Sequence, residues 1–355
     1  MAALVLVLNV GSSSLKAAVL EATTAHKAER LWQSGTRREG PLEQQLSQWL
    51  KPQLEPWWPR LKAAGHRVVH GGERFTAPTP LNPEVLQELE TVSALAPLHN
   101  PAALQAIAWL NRQQPHLPQW ACFDTAFHAT LPVEASTYAL PAQWRAKGYR
   151  RYGFHGLNHQ HVAEAVPCTR LISAHLGAGC SLAAIRDGRS IDTTMGFTPL
   201  EGLVMASRSG SVDPGLLLHL QRMGLSLDEL DQGLNRRSGL LGLSELSSDW
   251  QELRTAAASG HSGARLALAV FLHRLRQEIA AMAASLGGVD QIALSGGIGA
   301  NDPELLSELQ RGMAWLGPVR WQQVDPDEEG MIARLISRAD QGFGGAAGSD
   351  ATDRH

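Results

Sequence analysis

Residues 3–10, ALVLVLNV, form an almost unbroken apolar run; a polar GSSS follows, and LKAAVL at 15–20 is apolar again. That pattern predicts a buried strand, a glycine turn and a second strand. Apolar residues at helical spacing predict helices over 42–50, 83–95 and 101–112, the last opened by Asn100 as N-cap with Pro101 in its first turn. Two extended segments, 67–70 and 119–123, lie between and after these helices. Near residue 171 the opening pattern returns as LISAHLGAGCSLAAI, and one constant offset pairs Gly11 with Gly177, Ala17 with Ala183, Ala18 with Ala184 and Val19 with Ile185. A repeat of this kind implies two copies of one α/β unit facing each other across a cleft, a favoured place for ligands. Further helices are predicted over 213–223, 249–258 and 262–286, the last rich in Ala and Leu and ended by Gly287 and Gly288. A buried strand over 291–294 then runs into Ser295-Gly-Gly-Ile-Gly-Ala-Asn301, and the Gly/Ala/Asp-rich end from Gly342 is expected to be disordered.

Composition narrows the class. With 355 residues the chain has room for about two domains, each with a core of its own. A net charge of −3, from 31 Lys and Arg against 34 Asp and Glu, supplies no basic field for a phosphate backbone, so nucleic acid is not an expected partner. A membrane is not expected either. The apolar stretch from Ala2 to Leu8 is far short of the roughly 20 residues a bilayer requires, and the cytoplasm is the expected location. Cys122, Cys168 and Cys180 lack any C-x-x-C pairing and read as reduced, mostly buried side chains. Glycine is abundant, 34 residues in all, against a usual share of ~7%, and it clusters beside polar residues.

Those clusters carry the candidate chemistry. Asn9-Val-Gly-Ser-Ser-Ser-Leu-Lys16 can turn backbone N–H groups and hydroxyls toward an anion, with the Lys16 charge nearby. It lacks the P-loop spacing, and an ordinary hairpin with a polar turn also accounts for it, except that Asn9 ends an apolar strand and must find a partner. His175-Leu-Gly-Ala-Gly179 and Gly296-Gly-Ile-Gly-Ala-Asn301 each set glycines after an apolar strand, where backbone can approach a phosphate or an adenosine closely. Neither fits G-x-G-x-x-G, and glycine for tight packing explains either one alone. Arg208 stands in the small-residue stretch Ala206-Ser-Arg-Ser-Gly-Ser211, from which a guanidinium could grip carboxylate or phosphate; a surface ion pair is its commoner use. His66-Arg67-Val-Val-His70-Gly-Gly-Glu73, Cys122-Phe-Asp124-Thr-Ala-Phe-His128 and Arg151-Tyr-Gly-Phe-His155-Gly place imidazoles and charges beside glycine or at strand ends. Buried structural histidines are the usual outcome for each, and no H-E-x-x-H metallohydrolase spacing occurs.

In this order the motifs closely resemble the acetate kinase family. NxGSSSxK, HRVVHGGE, PLHNP, FDTAFH, YGFHG, HLGxG, TTMGFTPLEGLVM, RSG and GGIG all stand in the chain, spanning about residues 4 to 335. The resemblance implies an α/β fold of two duplicated actin-like, ribonuclease H-like domains around a central cleft. It implies a first domain of residues 1–128 plus about 331–345, a second of 129–330, and a disordered tail at 346–355. It further implies Mg²⁺-dependent, reversible phosphoryl transfer between ATP and acetate, giving ADP and acetyl phosphate, with Mn²⁺ as a substitute metal, and a homodimer. Carried over by position, Asn9 and Glu328 hold the metal and Lys16 touches ATP. The nucleotide is lined by His175, Leu176, Gly177, Ala178 and Gly179, by Asp249, Trp250 and Gln251, and by Gly297, Ile298, Gly299, Ala300 and Asn301. Arg67 binds the acetate end, Asp124 matches the aspartate assigned as proton donor or acceptor, and His155 with Arg208 stabilises the transition state. The physics of phosphoryl transfer, mostly positioning and charge neutralisation, agrees with such a set.

The chain departs from the family pattern at Ala178, Ala300, Ser211 and Gln251, all on the nucleotide or phosphate side, which implies altered nucleotide affinity or choice. Gly330 stands where the family prefers Leu, which leaves the Glu328 placement the weakest of the set. The chain is also shorter than usual between Lys16 and Arg67 and between His155 and His175. Two other readings stay open: a propionate or butyrate kinase of the same family, and an actin-like ATP-binding protein without transfer chemistry.

Overall fold

The computed structural model describes residues 3–11, 14–24, 27–96 and 99–346. Ser12 and Ser13 of the first glycine motif, Pro97 and Leu98 of PLHNP, and the tail beyond Ala346 lie outside the described residues. The chain divides into two compact units, the first from its start to Ala126 together with Asp327 onward, the second Phe127–Pro326.

In the first unit, β1 (Ala3–Val10), β2 (Ser14–Thr24), β3 (Lys27–Arg37), β4 (Leu61–Val68), β5 (Thr79–Pro80) and β6 (Gln119–Phe123) form one sheet in the order β3-β2-β1-β4-β6-β5. β1 pairs antiparallel with β2 but parallel with β4, which in turn pairs parallel with β6. An unbroken apolar β1 follows from this central place, because both of its faces are covered. Leu4, Leu6 and Leu8 join a core with Leu46, Leu50, Leu54, Ala106 and Trp109 from the helical stretch 42–54 and the helix Asn100–Gln113. The last helix, Glu328–Ala346, also packs on this sheet, and Gly65 makes room for it: a Cβ there would fall 2.5 Å from Ile332 and 2.6 Å from Ile336.

In the second unit, β7 (Arg170–Leu176), β8 (Cys180–Arg186), β9 (Arg189–Thr193), β10 (Gln291–Ser295) and β11 (Arg320–Gln323) repeat the plan in the order β11-β10-β7-β8-β9. β7 and β8 are antiparallel, and β7, β10 and β11 run parallel. The duplicated actin-like fold is therefore present, with one refinement to the repeat. Asn9 faces Lys16, whereas His175 faces Ser181 and not Leu182, so the second hairpin is one residue tighter and no constant offset superposes both strands. The helix Ser262–Leu286 packs on β7, β8 and β9, and the helix Gly156–Ala165 on β7 and β10.

Two local expectations need correction. The extended segment expected at 67–70 is a strand over Leu61–Val68, because pairing with β1 and β6 recruits Leu61-Lys-Ala-Ala-Gly-His, residues of weak strand preference. Asn100 is not an N-cap; His99 holds that position. The fully buried Asn100 carboxamide instead accepts from His70 N at 3.0 Å and donates to His70 O at 2.9 Å, satisfying backbone just beyond β4.

Buried histidines couple stability to pH. Burial pushes the His66 imidazole down to about 4, partly offset by its bond to Gln119, and brings His128 to about 4 against the opposing bond to Phe154 O. Both rings fold neutral, while in the unfolded chain they titrate near 6.5. The unfolded state binds more protons between these values, so the stability is complete above the ordinary value and is lost as pH falls toward the folded one. Each ring contributes on the order of 3 kcal/mol across that window. The urea midpoint is expected to fall steadily from about pH 6.5 to about pH 4.5; a flat midpoint there contradicts the account.

Candidate active site

The first unit gathers its chemistry at the carboxyl ends of its parallel strands. Asn9 closes β1, Arg67 lies near the end of β4, and Asp124 follows β6, its N–H donating to Val68 O at 3.1 Å. Parallel pairing thus brings together residues that are far apart in sequence. Arg67 Nε donates to both Asp124 oxygens at 3.0 and 3.1 Å, its Nη2 to Oδ2 at 2.6 Å, and its Nη1 to Asn9 Oδ1 at 3.1 Å. The amide predicted to need a partner has two, since Asn9 Nδ2 donates to Glu329 Oε1 at 2.9 Å. Burial alone would lower the Arg67 pKa; the charges of Asp124, Glu328 and Glu329 outweigh it and hold the guanidinium cationic. Burial pushes the Asp124 carboxyl up, with Glu328 adding to the effect and Arg67 opposing it.

Glu328 begins the last helix, half-buried and within electrostatic range of Arg67 and Asp124. Sequence reasoning missed its neighbour. Glu329 is 7% exposed and accepts from Asn9; no local signal in the sequence marked it, since its burial comes from how the last helix packs. Arg30 and Arg334 both reach Asp327, at 2.5 and 3.3 Å, and anchor the start of this helix. Lys16 is exposed on β2, directly opposite Asn9.

The second unit repeats the arrangement with different side chains. β7 and β10 pair in parallel up to Ser295 and His175, so the turns that follow lie side by side, and a Cβ at Gly177 would stand 3.6 Å from Gly297 N. Gly296 has φ +82°, and a Cβ there would lie 2.5 Å from Leu176 O, so only glycine fits. Ala178, Gly297 and Asn301 are exposed, Ile298 and Ala300 half-buried, and Leu176 and Gly299 buried. Asn301 Nδ2 donates to Gly297 O at 3.1 Å and closes this turn. Asp249 caps the helix Trp250–Ala258, accepting from Gln251 N and Glu252 N at 2.9 Å each. The Trp250 indole, expected beside a nucleotide, is in the core instead: it is 4% exposed, packs against Phe271 and donates to Asp302 at 2.5 Å. Its side chain therefore lines no ligand surface, and the exposed Gln251 is the group that position offers.

His155 and Arg208 converge over Gly179. A Cβ at Gly179 would stand 3.0 Å from both His155 Nε2 and Arg208 Nη2, so any larger residue there would push on both side chains. His155 takes a left-handed backbone (φ 56°) at the start of the helix Gly156–Ala165, and its ring stacks on His175 with centroids 4.3 Å apart. Arg208 Nη1 donates to Pro199 O at 2.6 Å. Sequence reasoning also missed what steadies that carbonyl. Arg151 donates to Thr193 O, Thr194 O and Glu201, and Tyr138 bridges Glu201 and Phe197 N, so the segment 193–201 is held at both ends. Cys122 and Cys180 are buried and Cys168 half-buried, and all three are free thiols.

The two sets suit a phosphotransferase class: paired glycine turns with a histidine and an arginine in one unit, and a half-buried arginine bonded to a buried aspartate, beside an amide and two carboxylates, in the other. The sequence model of the acetokinase family matches residues 33–337. An acetate kinase of Synechococcus sp. (strain JA-2-3B'a(2-13)) is 45% identical over 363 residues, covering 91% of this chain and 89% of that one. A propionate kinase structure from Francisella tularensis superposes with TM-score 0.85 at 34% identity, over 94% of this chain and 98% of that one. The acetate kinase of Porphyromonas gingivalis gives 0.83 at 34% identity, over 95% and 100%. The chain belongs to the acetokinase family, phosphotransferases with a carboxyl group as acceptor.

Proposed function

We propose that the protein is an acetate kinase that transfers the γ-phosphoryl group of ATP to acetate, reversibly, by direct in-line attack. The observation that carries this reading is the half-buried Arg67 held by the buried Asp124 and bonded to Asn9, a set that simple ATP binding has no use for. Acetate is ionised at neutral pH, so its oxygen attacks without a general base. In this reading Arg67 takes the carboxylate end, and Asp124 orients Arg67 and moves no proton. His155 and Arg208 meet the negative charge that spreads over the transferring phosphoryl oxygens. The turns His175 to Gly179 and Gly297 to Asn301 carry the nucleotide, with Asp249 and Gln251 at its edge and Lys16 at its phosphates. Ala178, Ala300, Ser211 and Gln251 offer shorter or uncharged groups there, and an altered nucleotide preference follows.

Mg²⁺ fits the residues present. Asn9, Glu328 and Glu329 offer hard oxygen donors, although among the described residues no group of three or more His, Cys, Asp or Glu is placed to hold a metal by itself. Such a donor set suits a cation that keeps water and phosphate oxygens as ligands, Mg²⁺ or Mn²⁺. When bound, the metal neutralises charge on the phosphates.

Trapping the acyl phosphate with hydroxylamine, using acetate, propionate and butyrate each with Mg·ATP, tests the assignment. Acetyl hydroxamate is expected at the highest kcat/KM. Propionyl or butyryl hydroxamate at higher kcat/KM makes the enzyme a propionate or butyrate kinase, a reading the Francisella likeness favours. One methylene is worth only about 1–3 kcal/mol to a pocket, so the ranking has to be measured. No hydroxamate with any acid removes the kinase reading.

A homodimer is proposed as well, supported by an unusually apolar surface. The helix Pro214–Arg222 has no buried residue, and Val212, Leu216, Leu218, Met223, Leu225 and Leu227 are all exposed around it. Sedimentation is expected to give a dimer that Leu218→Glu weakens; a monomer in the unaltered protein refutes it. Among the described residues no helix is long and apolar enough to cross a membrane. A cytoplasmic location is proposed from the ATP and acyl phosphate the reaction uses.

A further inference from the structure

The second unit contains a buried chain of serine and histidine side chains for which the mechanism above has no use. Ser173 Oγ lies 2.9 Å from His159 Nδ1, His159 Nε2 lies 2.8 Å from Ser181 Oγ, and Ser181 Oγ lies 2.9 Å from His155 Nδ1. Ser173, His159 and Ser181 are fully buried. They come from three elements, β7, the helix Gly156–Ala165 and β8, and His159 N also donates to His155 O at 2.9 Å. The chain ends at the ring whose other edge, Nε2, stands over Gly179 beside Arg208 Nη2.

We infer that Ser181, oriented by His159 and Ser173, is the positioning residue of His155: it holds Nδ1 as an acceptor, so that the neutral ring presents Nε2–H to the transferring phosphoryl group. The inference rests on the phosphoryl-transfer reading above. A serine hydroxyl has one proton and a neutral imidazole has one, so few arrangements use every link. Ser173 O–H donates to His159 Nδ1, His159 Nε2–H to Ser181 Oγ, and Ser181 O–H to His155 Nδ1. The proton of His155 then sits on Nε2. In the reverse arrangement a lone pair faces the phosphoryl oxygens, and anion against lone pair is repulsive. An arrangement in which Ser181 accepts from both rings gives its own proton to neither. Links that all point one way polarise each other, and a buried chain profits from that most.

The surroundings keep the interior member neutral. Burial holds His159 well below its ordinary value, and the nearby His128 and His175 rings act in the same direction. A neutral His159 supplies one donor and one acceptor, which the relay requires; a protonated one would donate from both nitrogens and reverse the link to Ser173. His155 itself is packed against His175 and lies beside Arg208, so a ring that donates while neutral adds no further cation to this group.

The test uses the full chain in three forms. Ser181→Ala is expected to keep the circular dichroism spectrum and the KM for acetate and ATP, while kcat falls about 10- to 100-fold, the usual effect of losing a partner that orients a functional histidine. Ser181→Thr retains the hydroxyl and is expected to recover most of kcat. In unaltered protein saturated with Mg·ATP, ¹⁵N-histidine NMR is expected to show His155 protonated on Nε2 and bare on Nδ1. This reading does not depend on how either variant folds. Wild-type kcat in Ser181→Ala, equal losses in both variants, or a proton on Nδ1 of His155 each overturn the inference. An unaltered enzyme that makes no hydroxamate with any acid defeats the kinase reading instead, and the two failures are thereby told apart.

Discussion

Arg208→Ala is expected to lower kcat by two orders of magnitude or more while leaving the protein folded. Arg208 is half-buried, so its truncation removes less packing than that of a fully buried side chain. What is lost is a cation aimed at the space over Gly179, where His155 Nε2 also points. Removing one donor to a charge that develops in the transition state typically costs about 3 to 4 kcal/mol, roughly 10²- to 10³-fold in rate. Arg208→Lys restores the charge without the planar fork, one arm of which donates to Pro199 O, and should recover only part of the rate. Initial rates of acyl hydroxamate formation, with a melting curve for each variant, make the measurement. Near-normal kcat in Arg208→Ala would remove this residue from the mechanism.

Asp124→Asn separates two roles for the aspartate. The carboxylate is 1% exposed and takes three hydrogen bonds from Arg67. The asparagine keeps the shape but leaves a half-buried guanidinium opposite a neutral amide; breaking a fully buried pair from one side costs about 3 to 5 kcal/mol, and Arg67, 18% exposed, recovers part of that from solvent. With Arg67 no longer held, the acetate carboxylate loses its orienting group. A lower urea midpoint and a KM for acetate raised at least about tenfold are expected, the equivalent of roughly 1.4 kcal/mol. If Asp124 carried a proton in the reaction, kcat would collapse with KM and stability unchanged, and the orienting role would be refuted.

Some elements were legible from local pattern alone. ALVLVLNV had to be a strand buried on both faces, since no alternation breaks its apolar run, and 262–286 had to be a helix ended by the left-handed Gly287. Other elements were not legible. β3 reads KAERLWQSGTR, with mostly exposed and partly exposed side chains, and is a strand only because β2 lies beside it. Trp250 shows the same limit at the site: the family resemblance placed it beside a nucleotide, while its indole is in the core and donates to Asp302.

The sequence by itself determined which chemistry was present. Asn9, Arg67, Asp124, His155 and Arg208 could be named from motif and residue type, because a side chain carries its charge and hydrogen-bonding groups wherever it is placed. Tertiary structure decided which of them meet. Arg67 finds Asn9 across 58 positions and Asp124 across 57 because β1, β4 and β6 run parallel and end together. Glu329 bonds the Asn9 amide, and Ser181 reaches His155 because the second hairpin is one residue tighter than the first. Register and helix phase set these contacts. They follow from how distant segments pair and pack, and a local pattern of polar and apolar residues does not specify that to a single residue.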